Sequence, residues 1–339
     1  MPLLAPLVLL GALAQDAEQD PILVLGGAPD LPGSGKHVVL VAGDEEYRSE
    51  EALPMLARLL AVRHGFRCTQ LFSIDPDSGT IDPENQTHIP GLEALAGADL
   101  AVFFLRFREL PEDDMRHVDA YVRSGRPIVG IRTSTHAFDH SRKPDGPYAR
   151  YSWRGNAEWP GGFGQQVLGE TWVAHHGHHG RESTRGVVEP ANAGHPILRG
   201  VQDVWGPTDV YTVEHLGDDA TILLRGAVLD GMTPESEPVE GEKNDPMMPL
   251  AWIREVEVAP GKRARVFCST IGAATDFESE DLRRLFVNAC YWGVGLEDRI
   301  PEEADVEPVG EYDPSPFGFG RHREGVRPSD HARMPERGK

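Results

Sequence analysis

Five histidines stand where an imidazole can move a proton or hold a metal ion. His136 follows an apolar run, and His175, His176, His178 and His179 crowd into the sequence AHHGHHG. Histidine changes charge nearest neutral pH and is a common ligand for borderline divalent ions. The spacing leaves two geometries open. On an extended segment, His176 and His178 project to one face. On a helical turn, His175 and His179 meet at i and i+4. A third ligand can come from His136, Asp209 or His195, and zinc suits such a set best. The expected metal site is therefore His176 and His178 with His136. The competing reading is a glycine-rich polar loop that binds nothing.

The elements that must position these residues alternate. Residues 36–42 (KHVVLVA) form an unbroken apolar run of the kind found in a central parallel strand. Leu53, Leu56, Ala57 and Leu60 recur at helical spacing, and Gly65 ends that helix. Strands follow at 67–72, 100–105 (LAVFFL) and 127–131 (PIVGI). Before the last of these, Pro111 opens a helix with Glu112 and Asp113 in its first turn and Met115, Val118 and Val122 on its apolar face. The repeats predict a mostly parallel sheet with helices on both faces. In such sheets ligands bind where strands end, which puts 43–49, 106–108 and 132–140 on one rim. Arg106, Arg108 and Arg132 offer guanidinium forks there for a carboxylate, a phosphate or a polyol edge. Asp44, Glu45 and Glu46 either contact the same ligand or neutralise those arginines in an internal ion-pair network, and Tyr47 and Arg48 are conditional members of the pocket.

Further strands are expected at 185–188, 220–224, 250–253 and 265–268, with a turn at Pro260-Gly261 and a helix over 281–291. Residues 232–249 read as a polar excursion. This organisation gives a linker at 15–35, one domain over 36–299 and a Pro/Gly-rich tail over 300–339. The tail is expected to drape over the domain through Tyr312, Phe317 and Phe319, with its last dozen residues disordered.

Residues 1–14 read as an export signal, with Ala12-Leu13-Ala14 before Gln15, although no Lys or Arg precedes the apolar run. The run is too short to span a bilayer, and no later segment approaches a span. The expectation is a periplasmic or secreted protein, or a cytoplasmic one if the signal is not real. A net charge of −21 over 339 residues argues against a nucleic-acid backbone as partner. Cys68, Cys268 and Cys290 lack zinc-motif spacing. They read as buried free thiols, or as one disulfide in an exported chain. The turn AGDEEYRS lacks the Gly-x-Gly-x-x-Gly pattern, and Gly33-Ser34-Gly35 precedes its strand, so no nucleotide cofactor is expected.

Four separated blocks carry a resemblance: KHVVLVAGDEEYRS, LRFRELPEDDMRHVDAYVRSGRPIVGIRTSTHAF, GHPILRGVQDVWGPTDVY and RVFCSTIGAATDFESEDLRRLFVNACYWGVG. Together they resemble the trehalose-utilisation (ThuA-like) family over about 36–296. The resemblance implies a three-layer αβα sandwich, flavodoxin-like and similar to class I glutamine amidotransferases, and a role in sugar catabolism. Class I amidotransferases carry a cysteine nucleophile on the elbow after the apolar strand. Here PIVGI leads into Arg132-Thr133-Ser134-Thr135-His136, without cysteine or a Gly-x-Ser-x-Gly pattern. Ser134 and Thr135 therefore read as caps of the following turn, and glutaminase chemistry is not expected. Asp209 and Tyr211, in PTDVY, match a family block. Their alternate spacing sends both to one side of a strand, where Asp209 can orient His136 or another imidazole and Tyr211 can donate to a sugar oxygen. A buried Asp–Tyr hydrogen bond is the alternative. Many family members carry Gly-His where this chain has Gly272-Ala273; Asp276 remains as a rim acid.

These readings converge on an enzyme for a sugar or keto-sugar derivative. It would act by proton abstraction or metal-assisted activation beside a carbonyl, followed by elimination, isomerisation or hydrolysis. The expected catalytic residues are His136, His176, Asp209 and Tyr211. Asp44, Glu46, Tyr47, Arg106, Arg108 and Arg132 would face the carbohydrate. The alternative is a non-catalytic extracytoplasmic sugar-binding or scaffold protein on the same fold.

Overall fold

A computed structural model describes residues 21–332. The export signal expected at 1–14 and the chain end at 333–339 lie outside the described residues. Among the described residues, ten strands form one sheet in the order β1-β3-β2-β4-β5-β10-β9-β8-β6-β7. The strands are β1 Ile22–Leu25, β2 His37–Gly43, β3 Arg67–Leu71, β4 Leu100–Leu105, β5 Ile128–Ile131, β6 Thr184–Val188, β7 Val204–Gly206, β8 Ala220–Val228, β9 Met248–Ala259 and β10 Lys262–Ser269. The longer helices are α1 Ser49–His64, α2 Glu112–Arg123 and α3 Glu280–Gly293.

The sheet is mixed, where the sequence predicted a mostly parallel one. The pairs from β3 through β2, β4 and β5 to β10 are parallel. Beyond β10 every pairing is antiparallel. The Pro260-Gly261 turn accounts for the change: β9 and β10 form a hairpin, and a hairpin can only pair antiparallel. At the opposite edge, β1 pairs antiparallel with β3. That strand lies within the stretch read as linker.

Alternation along β2 distributes its side chains between two cores. Val38, Leu40 and Ala42 pack with Leu53, Leu56 and Leu60 of α1 and with Leu285 and Phe286 of α3. Val39 and Val41 pack with Met115, Val118 and Val122 of α2. Both faces of the central strands are thus dry, which is why they read as continuous apolar runs. Gly65 ends α1 with φ +83°, and its N–H reaches Leu60 O, so the chain reverses at once into β3. Cys68 in β3, Cys268 in β10 and Cys290 in α3 are buried and unpaired. Among the described residues no helix is long and apolar enough to cross a membrane.

The parallel strands β2, β4, β5 and β10 all end at one rim. The backbone there is strained: Arg48, Phe107 and Arg132 have φ of 59°, 48° and 42°. Left-handed non-glycine residues cost roughly 1–3 kcal/mol each and gather at functional sites. The tail runs back along α1 and α3 to this rim. Its contacts include His64 Nε2 to Asp305 O at 2.8 Å, Arg283 Nε to Val306 O at 2.7 Å, and Tyr312 Oη to Ala274 O at 2.7 Å.

Candidate active site at the strand ends

Two loops from the antiparallel half meet the rim. The histidine run lies against 210–212 through backbone hydrogen bonds. His176 N and Gly177 N reach Val210 O at 2.9 and 3.1 Å, and Thr212 N reaches Ala174 O at 2.9 Å. The run then turns, with Glu182 N donating to His178 O at 2.9 Å. An extended start followed by a turn brings His175 and His179 together and sends His176 and His178 elsewhere.

His175 Nδ1 lies 2.7 Å from Asp209 Oδ2, and His179 Nδ1 lies 3.0 Å from Asp209 Oδ1. The ligand atoms of these three residues lie within 4.8 Å of one another, a set that can hold a metal ion. Donation from both Nδ1–H groups to one carboxylate fixes both tautomers and leaves each Nε2 with a free lone pair. His179 Nε2 is 3.7 Å from Glu46 Oε1. Burial pushes the Asp209 carboxyl up, but the His175 and His179 hydrogen bonds and the Arg132 charge outweigh it and hold it well below the usual range. Burial, reinforced by Asp44, pushes the Glu46 carboxyl up against the charges of Arg106, Arg132 and His179.

Arg132 is the floor of the site. Its guanidinium lies between two phenol rings, 4.1 Å from the Tyr47 centroid and 4.3 Å from that of Tyr211. Nη2 reaches Asp209 Oδ1 at 3.2 Å, and Nη1 reaches Thr270 O at 2.7 Å. Both side chains of the Arg132–Asp209 pair are 0% exposed.

His136 lies beside this cluster and outside it. Its Nδ1 meets Thr135 Oγ1 at 3.1 Å. Its ring packs on Phe107 and Trp172, with centroids 4.8 and 5.1 Å apart. Trp172 in turn packs on His175 at 4.9 Å and Tyr211 at 4.6 Å. Burial, then the charges of Arg106 and Arg132, hold the His136 imidazole well below its usual pKa, so it is neutral at physiological pH.

The other expected site residues divide between loop scaffolding and rim. His176 Nε2 donates to Lys243 O at 2.8 Å, and His178 is exposed with Glu182 at 3.3 Å. Neither joins His136, so the structure does not assemble the His176–His178–His136 set. Asp209 orients His175 and His179, not His136, and the 209–211 segment lies outside any strand. Asp44 accepts from Glu46 N at 2.7 Å and Tyr47 N at 2.5 Å, and from the Thr133 hydroxyl. Arg108 is buried, pairs with Glu45 and donates to Pro83 O and Asn85 O at 2.9 and 3.0 Å. Arg106 pairs with Glu45 and lies 3.3 Å from Glu46. Asp276 is consumed by Gly272 N, Ala273 N and Thr208, at 2.6–3.1 Å. Ser134 is no cap; its hydroxyl ties β4, donating to Phe103 O at 2.7 Å and accepting from Leu105 N at 3.2 Å. Trp172 was missed by the sequence reading. Its signal was an aromatic three residues before the histidine run.

The fold and site define an α/β protein with a mixed sheet and a His–His–Asp cluster at the ends of its parallel strands. The chain belongs to the ThuA family, described as trehalose utilisation, whose family model matches residues 38–293. No curated protein matches it. Among solved structures, a ThuA-like protein from Parabacteroides merdae is 15% identical with a TM-score of 0.47, covering 77% of this chain and 90% of that one. One from Bacteroides uniformis is 13% identical with a TM-score of 0.48, covering 79% and 94%. The glutaminase domain of Trypanosoma brucei CTPS with bound acivicin is 11% identical with a TM-score of 0.38, covering 80% and 98%.

Proposed function

We propose that this protein is an enzyme acting on a sugar or keto-sugar derivative, with His175 and His179 as its working imidazoles. The observation that carries the reading is the pair of Nδ1 atoms set on one buried, ionised carboxylate. A buried acid that orients two imidazoles serves chemistry better than it serves stability, because its charge must be held out of water. The family's description, trehalose utilisation, supports the carbohydrate class.

His175, His179 and Asp209 would hold a divalent ion, zinc by donor type, in place of the two Nδ1 protons that Asp209 accepts in its absence. Their 4.8 Å limit is wider than the roughly 3.3 Å between ligands of a tetrahedral zinc, so the side chains would close slightly around it. Such an ion supplies Lewis acidity to a sugar oxygen. The protein's own groups do the rest. Glu46, with its carboxyl pushed up, is placed beside His179 to deliver or take a proton. Arg132 fixes Asp209, and Trp172 with Tyr211 gives the ligand an aromatic wall beside neutral His136. One observation favours a metal-free variant of the same chemistry: Arg132 shares Asp209 Oδ1 with His179, and a fixed cation beside a site opposes a second one. There a histidine Nε2 is itself the base.

The fold we propose is that of the class I amidotransferases with the nucleophile lost. The sharp turn after β5 supports this, because it carries Arg132 at φ 42°. The three cysteines are buried elsewhere.

Elemental analysis of the purified protein decides between the two forms. Near-stoichiometric divalent metal is expected, with affinity at least about a hundredfold weaker in His175→Ala/His179→Ala. His176→Ala/His178→Ala should retain it. Metal-free wild type would leave the acid–base form. A double variant that keeps its metal would remove the cluster as its holder.

A further inference from the structure

The tail segment 312–320 lies outside the family-matched residues 38–293, yet it reaches the candidate site. Gly318 N donates to Glu46 O at 2.7 Å, and Arg48 Nη2 donates to Gly318 O. Ser315 N donates to Glu51 Oε2 at 2.6 Å, anchoring the segment upstream. Gly318 has φ 130°, a conformation other residues rarely adopt, and it separates two phenylalanines that then face different partners. Phe317 lies 5.3 Å from the His179 ring and 5.7 Å from that of Tyr47. Phe319 lies over Arg106, 4.9 Å from the guanidinium carbon, and is 55% exposed.

We infer that this strap is the specificity wall of the site: Phe317 positions His179, and Phe319 offers its free ring face to the apolar face of a sugar ring. The inference rests on the carbohydrate reading above and deepens it. A pyranose has C–H groups on its faces and hydroxyls on its edge. It is held by an aromatic plane beneath and charged hydrogen-bonding groups around it. Phe319 provides that plane against Arg106, which itself lies 3.3 Å from Glu46. Its stack on Arg106 holds the ring in place before a ligand arrives, so little freedom is lost on binding. A lone exposed phenylalanine is ordinary. This one is pinned by a cation and sits two residues from a ring that packs on a proposed metal ligand. An open-chain polyol has the hydroxyls without the flat face, so the wall selects ring sugars.

Zinc affinity, and calorimetric titration with trehalose and with sorbitol, are to be measured on wild type, Phe317→Ala and Phe319→Ala. Each variant is first checked for a wild-type melting profile. Wild type should bind trehalose more tightly than sorbitol. Phe319→Ala should weaken trehalose about tenfold and leave zinc affinity unchanged. Phe317→Ala should weaken zinc about tenfold, and Phe317→Tyr should restore it. Equal trehalose binding by Phe319→Ala, no trehalose binding by wild type, or equal affinity for sorbitol overturns the stacking role. Unchanged zinc affinity in Phe317→Ala overturns the positioning role while the metal reading stands. Wild type that takes no zinc but binds trehalose through Phe319 removes the metal and the role of Phe317 towards it, and leaves the sugar wall in place.

Discussion

Replacing Arg132 by methionine is expected to destabilise the protein by about 3–5 kcal/mol, the usual consequence of breaking a buried ion pair from one side. The substitution leaves Asp209 ionised, without exposure, and short of its only fixed positive charge. It also leaves Thr270 O without its donor and takes a cation from between two phenol rings. Lysine is not expected to rescue the variant, since an ammonium cannot lie flat between Tyr47 and Tyr211 while reaching both Asp209 and Thr270. Adding Asp209→Asn should recover part of the loss, because no unpaired charge then remains. Urea unfolding of the two single variants and the double one gives the coupling. A single-variant loss below about 1 kcal/mol would show that water reaches the pair.

Glu50→Gln is expected to make the protein more stable at neutral and alkaline pH and to change little in acid. Glu50 lies in the first turn of α1, is 8% exposed, and finds no hydrogen-bond partner for either carboxylate oxygen. It lines a cavity of about 140 Å³ between α1 and the tail, with Glu51, Arg58, Arg323 and His331. Burial pushes its carboxyl up from an ordinary 4.5 to about 8. Below pH 4.5 the group is neutral in the folded and unfolded chain alike. Between 4.5 and 8 the unfolded chain releases its proton first, so stability falls as pH rises, by about 1.4 kcal/mol per unit. The accumulated loss is roughly 3 kcal/mol at pH 7 and levels off above 8. Glutamine carries no charge to release. Melting temperatures of the two proteins should therefore coincide near pH 4.5 and diverge by several degrees at pH 8. Curves that stay parallel would mean the carboxylate is solvated through the cavity. His331, lowered to about 4 chiefly by burial, acts in the opposite sense, with stability lost as pH falls from 6.5 towards 4.

The central strands were legible because both their faces are dry: past His37, the runs VVLVAG, LAVFFL and IVGI leave no polar position to misread. The direction of the outer strands was not. β8 and β9 pair with register shifts at Ile222/Leu224 and Leu224/Arg225, and no local pattern tells a strand which neighbour it will meet or in which direction. The site divided in the same way. Its rim followed from strand ends, but the choice among four histidines was made by backbone bonds between 174–177 and 210–212, a long-range contact without local trace. The Arg132–Asp209 pair spans 77 positions. Arginines counted as ligand contacts by type alone became floor, tie and rim according to their burial. Asp44 and Arg108 are consumed by the loops they hold, a role that only the folded backbone reveals.

The buried cysteines have a practical consequence. Burial pushes all three thiols up, Cys290 to about 12, so none is a thiolate at neutral pH. Thiolate is the reactive form towards disulfide reagents. Cys68 and Cys268 stand in different parts of the parallel array and Cys290 in a helix beneath it, so no fraying of one edge uncovers all three. The native protein should be inert to an aromatic disulfide reagent, and its labelling under native conditions should run at the rate or free energy of opening. Three thiols released together would show the sheet and α3 opening as one unit. Release in sequence would order the parts in which the molecule comes apart, without a single engineered probe.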